Sequence, residues 1–162
     1  MRLPKWKKCR FAATLALLLA AACGPLAAQS KTPTPQEQAN LKMVLRWYRE
    51  VVLAGHVDLA RKYMAEDYVD HDPNRQPTLA SFVEHFGGKP PRPIAPTLSH
   101  PPIRAYAKGD YVVLLWEWED KDPANPSAMY KYNSFDIVRI QNGKIQEHWD
   151  TDRKTPPDAA RQ

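Results

Sequence analysis

Past residue 28 the chain has no cysteine, because its two, Cys9 and Cys23, both precede Gln29. A chain that begins at Gln29 therefore has no disulfide, no thiol nucleophile and no thiolate metal site. Long apolar runs are scarce as well. The most apolar stretch, Phe11–Ala22, has 12 residues, against the roughly 20 that a membrane-spanning helix needs. An excess of positive charge is also missing once the start of the chain is set aside. Of 23 Lys and Arg, five lie ahead of Gln29, where none of the 18 Asp and Glu is found, so the remainder carries eighteen of each sign. That balance gives no warrant for nucleic-acid binding. No internal repeat is visible.

What the first 28 residues do contain is ordered like a secretory signal peptide. Arg2, Lys5, Lys7, Lys8 and Arg10 form a basic start, an apolar core comes next, and Leu26-Ala27-Ala28 offers a cleavage site before Gln29. The expectation is a secreted or periplasmic protein. The competing expectation is lipid attachment at Cys23, within Leu19-Ala20-Ala21-Ala22-Cys23-Gly24, a degenerate lipoprotein signal. Residues 29–36 read as a short polar linker, 37–154 as one domain with room for a real core, and 155–162 as a flexible tail.

Within the domain the apolar period changes once. Leu41, Val44, Leu45, Tyr48, Val51 and Val52 recur at three and four, predicting a helix that Gly55 stops. A second short helix is expected from an N-cap at Asp58 to about Glu66. Tyr68–Pro73 is read as an irregular segment leaving it, since Pro73 disfavours a helical residue before it. Thr78 caps a third helix, Leu79–Phe86. Lys89–Pro102 is dense in proline, which excludes a helix or central strand and leaves a stiff extended connection. Strands are expected at Ile103–Ala107, at Tyr111–Glu119 with apolar residues on both faces near its start, and from Met129 through a hairpin turned at Asn142-Gly143. Three helices and then four strands predict an α+β fold: a curved, largely antiparallel sheet packed against helices, with a pocket where short helices leave the sheet uncovered.

The hairpin Phe135–Asp150 sets the candidate site. With a two-residue turn Gln141 opposes Lys144, and counting outward Ile140 opposes Ile145, Val138 opposes Glu147 and Asp136 opposes Trp149, these last six sharing one face. Arg139 with Gln146, Ile137 with His148 and Phe135 with Asp150 share the other. On this count His148 and Asp150 project together, and Asp136 points the opposite way unless a bulge reverses the parity. An ionisable pair among apolar neighbours is how a site acquires shifted pKa values.

Tyr68-Val-Asp-His-Asp-Pro73, Gly109-Asp-Tyr-Val-Val113, Phe135-Asp-Ile-Val-Arg-Ile140, Asn142-Gly-Lys-Ile145 and Glu147-His-Trp-Asp150 together resemble the SnoaL-like proteins of the nuclear transport factor 2-like superfamily. The resemblance spans about Gln36–Asp152. It implies a cone-like sheet of about four to six strands wrapped around three N-terminal helices with a deep internal pocket. It also implies a homodimer through the outer sheet surface and acid/base chemistry without metal or organic cofactor. Carried over, it points to Asp150 as the acid/base group, with His148 and His71 beside it. One departure is Asp72, where the family often has Asn; Asp72 and Asp136 are held as reserve candidates. Tyr48, Tyr68, Phe86, Trp116, Trp118 and Phe135 are the expected pocket walls.

Three readings are open: an exported cofactor-free isomerase, cyclase or dehydratase acting on an apolar carbonyl compound; a binding module of the same fold, enclosing an apolar small molecule or a partner segment; or a His148–Asp150 pair that only stitches strand ends together. His71, His148 and Asp150 have ligand types suited to zinc or iron, but their spacing does not require a metal.

Overall fold

A computed structural model describes residues 32–155. Residues 1–31, which include the expected signal peptide with Cys9 and Cys23, and residues 156–162 of the expected tail lie outside the described residues. Helix α1 (Pro35–Trp47) begins inside the stretch read as linker. Its capping box explains why: the Thr34 hydroxyl accepts the Glu37 N–H while the Glu37 carboxylate accepts the Thr34 N–H, and Pro35 occupies the first turn. The other Glu37 oxygen accepts the Gly109 N–H at 2.9 Å, which ties the start of the helix to a distant sheet turn.

The apolar stripe runs on to Leu53, but from Tyr48 the helix widens into a π-helix, Tyr48–Leu53. It ends at Ala54, whose N–H reaches back to Arg49 O, and at Gly55, with a φ of 78°. Such widened turns accompany functional sites in many proteins, and this one supplies Tyr48 and Val52 to a cavity on the inner sheet face.

The second helix departs from expectation. Asp58 sits inside a 3₁₀ turn, Val57–Leu59, and caps nothing; α2 is only Ala60–Tyr63, and the chain passes directly into strand β1, Met64–Asp70. Pairing with a strand some 80 residues later buries Met64, Tyr68 and Asp70 and overrides the local helical pattern. The chain then turns at 71–78 into α3 (Leu79–Phe86), which starts at the Thr78 cap. Thr78→Ala is expected to destabilise the protein by about 1 kcal/mol, because the Ser81 N–H loses its acceptor. Urea titration checks this, and an unchanged midpoint would show that the cap is dispensable.

Four further strands, β2 (Arg104–Lys108), β3 (Tyr111–Lys121), β4 (Met129–Gln141) and β5 (Lys144–Trp149), complete an open mixed sheet in the order β1-β5-β4-β3-β2. Only β1 and β5 run parallel. The even-numbered side chains Val112–Trp116 of β3 and Asp136–Ile140 of β4, with Ile145 and His148, lie on the sheet face towards the helices. Val112, Leu114, Trp116, Val138, Ile140 and Ile145 are buried there against Val44, Trp47, Val51 and Phe82. On the far side of the sheet Val113 and Leu115 of β3 are half-buried, whereas Tyr111 of β3 and Phe135 of β4 are 44% and 45% exposed. Among the described residues no helix is long and apolar enough to cross a membrane.

Candidate functional site

The Asn142-Gly143 turn and the first two pairs of the hairpin, Gln141 with Lys144 and Ile140 with Ile145, agree with the count made from the sequence. Both turn residues have positive φ, 52° and 72°. One step later Arg139 pairs with Glu147, leaving Gln146 as a bulge, so Val138 meets His148 and Ile137 meets Trp149. The extra residue reverses the parity between strands. Asp136 therefore lies on the same face as His148, and Phe135, expected in the pocket wall, is on the outer face.

Strand β1 shifts a second expectation. Its alternation sends Tyr68 and Asp70 inward, and His71, one residue on, outward. There the His71 ring stacks on Trp149 at 4.5 Å and its Nε2 lies 3.0 Å from Glu147. His71 is thus separated from His148 and Asp150 by the sheet, and the metal set of those three residues is not assembled.

On the inner face the residues form a charged chain. The His148 ring lies between two carboxylates, with Nε2 3.1 Å from Asp136 and Nδ1 3.3 Å from Asp70. The Trp116 indole donates to the other oxygen of Asp136. Arg75 bridges Asp70 at 3.2 Å and Asp72 at 2.9 Å. The Asp72 and Asn74 N–H groups bond to Asp70 and Asp72 and shape the turn. Burial alone would lower the pKa of His148, but the hydrogen bonds and charges of Asp136 and Asp70 outweigh it and push the pKa up to about 9. Burial likewise opposes charge on Asp70, yet His148 and Arg75 hold its pKa down at about 2. At neutral pH the pair is an imidazolium and a carboxylate.

This chain forms one wall of a cavity of about 170 Å³. Trp47, Tyr48, Val52, Phe82 and Phe86 supply the apolar wall, and Arg75, Asp136, His148, Asp150 and Asp152 the polar one. Tyr48 stacks on Trp116 at 4.4 Å; burial, and after it the charge of Asp136, raises its pKa and keeps the hydroxyl protonated. Burial raises the pKa of Asp152, helped by the neighbouring Asp150 and Asp72. Val52 and Phe86 also line an outer cleft of about 520 Å³, bounded by Gly88–Pro90 and Arg92. The proline-rich connection is held against that side by Arg49 bonding to Pro96 O and by the Arg92 N–H bonding to Ala54 O, both at 2.8 Å.

Of the residues named from the sequence, Asp150, His148, Tyr48, Phe86 and Asp136 come together at the cavity. Trp116 supports it from behind Tyr48, and Asp72 from behind Arg75. Tyr68 is buried, with a hydroxyl that has no partner among the described residues. Trp118 lies farther along β3 against His100 at 4.3 Å. Asp70, Arg75 and Asp152 are site residues that the sequence reading misses, and Trp47, beside Tyr48 on the helical stripe, joins them at the cavity. Period-two reading of Tyr68–Asp70 as a strand would find Asp70; nothing local marks Arg75 or Asp152. The carboxylates of Asp72, Asp150 and Asp152 lie within 4.8 Å of one another, close enough to hold a metal ion, although the Arg75 guanidinium already occupies Asp72.

Comparison with known proteins agrees with this fold. The chain is similar in fold to a candidate SnoaL-like polyketide cyclase from Jannaschia sp. CCS1, with TM-score 0.54 and 19% identity over 75% of this chain and 92% of that one. It is similar to a candidate polyketide cyclase from Acidithiobacillus ferrooxidans, with TM-score 0.50 and 22% identity over 69% and 86%. A candidate ketosteroid isomerase from Kribbella flavida matches at TM-score 0.50 and 12% identity over 75% and 84%. No curated protein matches. The model of the SnoaL-like domain matches residues 44–148, from the helix that walls the cavity to the histidine at its centre, and the chain belongs to that family.

Proposed function

We propose that the protein is a cofactor-free acid/base enzyme that removes a proton from carbon next to a carbonyl group and returns it, as an isomerase, cyclase or dehydratase does. The observation that carries this is the division of labour among the cavity carboxylates. Asp136 and Asp70 are engaged by His148, and Asp72 by Arg75, whereas Asp150 has no cation within ion-pair distance among the described residues and accepts only the Asp152 N–H at 2.9 Å. Asp150 is therefore the group free to act as base. The fixed positive charge of His148 stabilises the enolate that forms, and its ring nitrogens, both engaged, need not transfer a proton. The protonated Tyr48 hydroxyl is available as a donor to the substrate oxygen.

A cavity of about 170 Å³ is smaller than the roughly 300–1,000 Å³ sites that enclose drug-sized ligands. It suits the reacting end of a substrate whose remainder lies in the outer cleft. Export after removal of the first 28 residues, or anchoring at Cys23, belongs to the same proposal. So does pairing of two copies through the outer sheet face, which the exposed Tyr111, Phe135 and Ile137 support.

Proton exchange tests the reading without knowing the product. Incubation of small ketones in D₂O should show enzyme-dependent deuterium uptake next to the carbonyl by NMR. Asp150→Asn should slow it about 10²- to 10⁴-fold while ligand binding is retained. Binding without turnover is the second reading, favoured by the engagement of both His148 nitrogens. Ligand binding with no exchange above background in wild type would establish it.

A further inference from the structure

The inner cavity and the spaces that open from it carry opposite charge. Asp136, Asp150 and Asp152 line the inner cavity. The outer cleft of about 520 Å³ shares Val52 and Phe86 with it, yet the ionisable residues of the cleft wall are His85, Lys89 and Arg92, and no carboxylate lines it among the described residues. Beyond Arg92 the cleft adjoins a recess of about 200 Å³, which shares Leu53, Ala54 and Arg92 with it and adds Arg49, Thr97 and Ser99. No carboxylate lines the recess either among the described residues. A continuous path therefore leads from an acidic end, past the apolar Val52, Leu53 and Phe86, to a basic one.

Arg92 stands where cleft and recess meet, and the chain fixes it there. Its backbone N–H bonds to Ala54 O, its carbonyl oxygen lies 2.9 Å from His56 Nε2, and its guanidinium donates to Leu53 O. The guanidinium is thus oriented by a neutral carbonyl and has no carboxylate partner among the described residues. Arg49, half-buried on the other side of the recess, donates to Pro96 O and pairs with Glu50, a carboxylate already shared with Lys62 and Tyr63. A held guanidinium without a counter-charge is matched by the two oxygens of a carboxylate, which accept two parallel hydrogen bonds from it. Because Arg49 spends part of its fork on the chain itself, one negative charge suits the recess better than the two of a phosphate.

We propose that the substrate carries a carboxylate at the end away from its reacting carbonyl group, with Arg92 as the residue that binds it and Arg49 beside it. The inference rests on reading the inner cavity as the reacting site, and it replaces the wholly apolar substrate expected from the sequence with a keto acid that is apolar between its two ends. The division of charge also sets the direction of binding. Asp136, Asp150 and Asp152 repel the carboxylate from the inner cavity, so the carbonyl end enters and the acid end stays at Arg92.

Calorimetric titration of the full chain with 5-oxohexanoate, 7-oxooctanoate, 9-oxodecanoate and the amide of each tests this. Each acid and its amide differ in charge and scarcely in shape, and the three lengths cover the path. The expected result is that at least one acid binds about tenfold or more tighter than its amide, a preference that falls as sodium chloride is raised. Arg92→Gln should abolish the preference, and Arg92→Lys should keep part of it. Arg92 is exposed, so both variants should fold. Lys131→Gln, outside these cavities and bridged to Glu117, should leave the preference unchanged. The proposal is overturned if every amide binds as tightly as its acid, if Arg92→Gln keeps the preference, or if Lys131→Gln loses as much of it. Because the readout is binding, acid preference without deuterium exchange in any of these compounds would remove the catalytic reading alone, and exchange without acid preference would remove this proposal alone.

Discussion

Replacing His148 with Gln is expected to lower folding stability at pH 7 by roughly 3–5 kcal/mol, because it leaves the buried Asp70 and Asp136 carboxylates without their shared cation. The effect has a pH signature that a simple packing defect lacks. The folded-state pKa of His148, about 9, is above its ordinary value of 6.5. The stabilisation is therefore fully present below pH 6.5 and is lost as pH rises through 9. At about 1.4 kcal/mol per pH unit, that loss amounts to roughly 3 kcal/mol. Urea denaturation of both proteins at intervals from pH 6 to 10 should show the wild type converging on the variant. A gap that stays constant with pH would mean that the buried ring is neutral and that the carboxylates are satisfied in another way.

Arg75→Met should cost about 3 kcal/mol by the same physics at the other end of the chain of charges. Its guanidinium, 16% exposed, sits between Asp70 and Asp72 side chains that are 1% and 2% exposed. Here the pH dependence runs the other way. Asp70 is held at about 2, below its ordinary 3.8, so its contribution is present above pH 3.8 and disappears as pH falls through 2. The difference between wild type and variant should shrink on acidification over that interval, as protonation makes the partner unnecessary. Guanidinium-induced unfolding at pH 7 and pH 3 checks this. A larger gap at pH 3 would contradict it.

How much of this charged chain is legible in the sequence depends on how far apart its partners lie. Signals that act within a few residues are legible. Thr78 starts α3, Asn142-Gly143 turns the hairpin, and the alternation of β5 keeps His148 and Asp150 apart from Glu147 and Trp149. What escapes depends on partners far along the chain. Gln146 carries no mark of a bulge, so a cross-strand count fails at Arg139, reversing Asp136 and Phe135. Met64–Asp70 becomes a strand only because β5 offers it an edge, which is why His71 draws notice from the sequence and the inward Asp70 does not. The candidate site is half visible for the same reason. The residues of one strand announce themselves, whereas Arg75 and Trp47 reach the cavity from a turn and a helix whose placement no local pattern fixes.

The widened turn at Tyr48–Leu53 has a consequence for sequence length. A π-turn holds one residue more than the α-turn it replaces, so it behaves as an insertion absorbed in place. Deleting a single residue there would let the helix rewind, turning α1 by about 100° relative to the segment beyond Gly55. Trp47 would leave the cavity, and the Glu37 link to Gly109 would lose its register. In a chain of this family, then, a one-residue gap at this point would matter more than many substitutions, because it would re-aim one wall of the cavity while leaving every side chain on it unchanged.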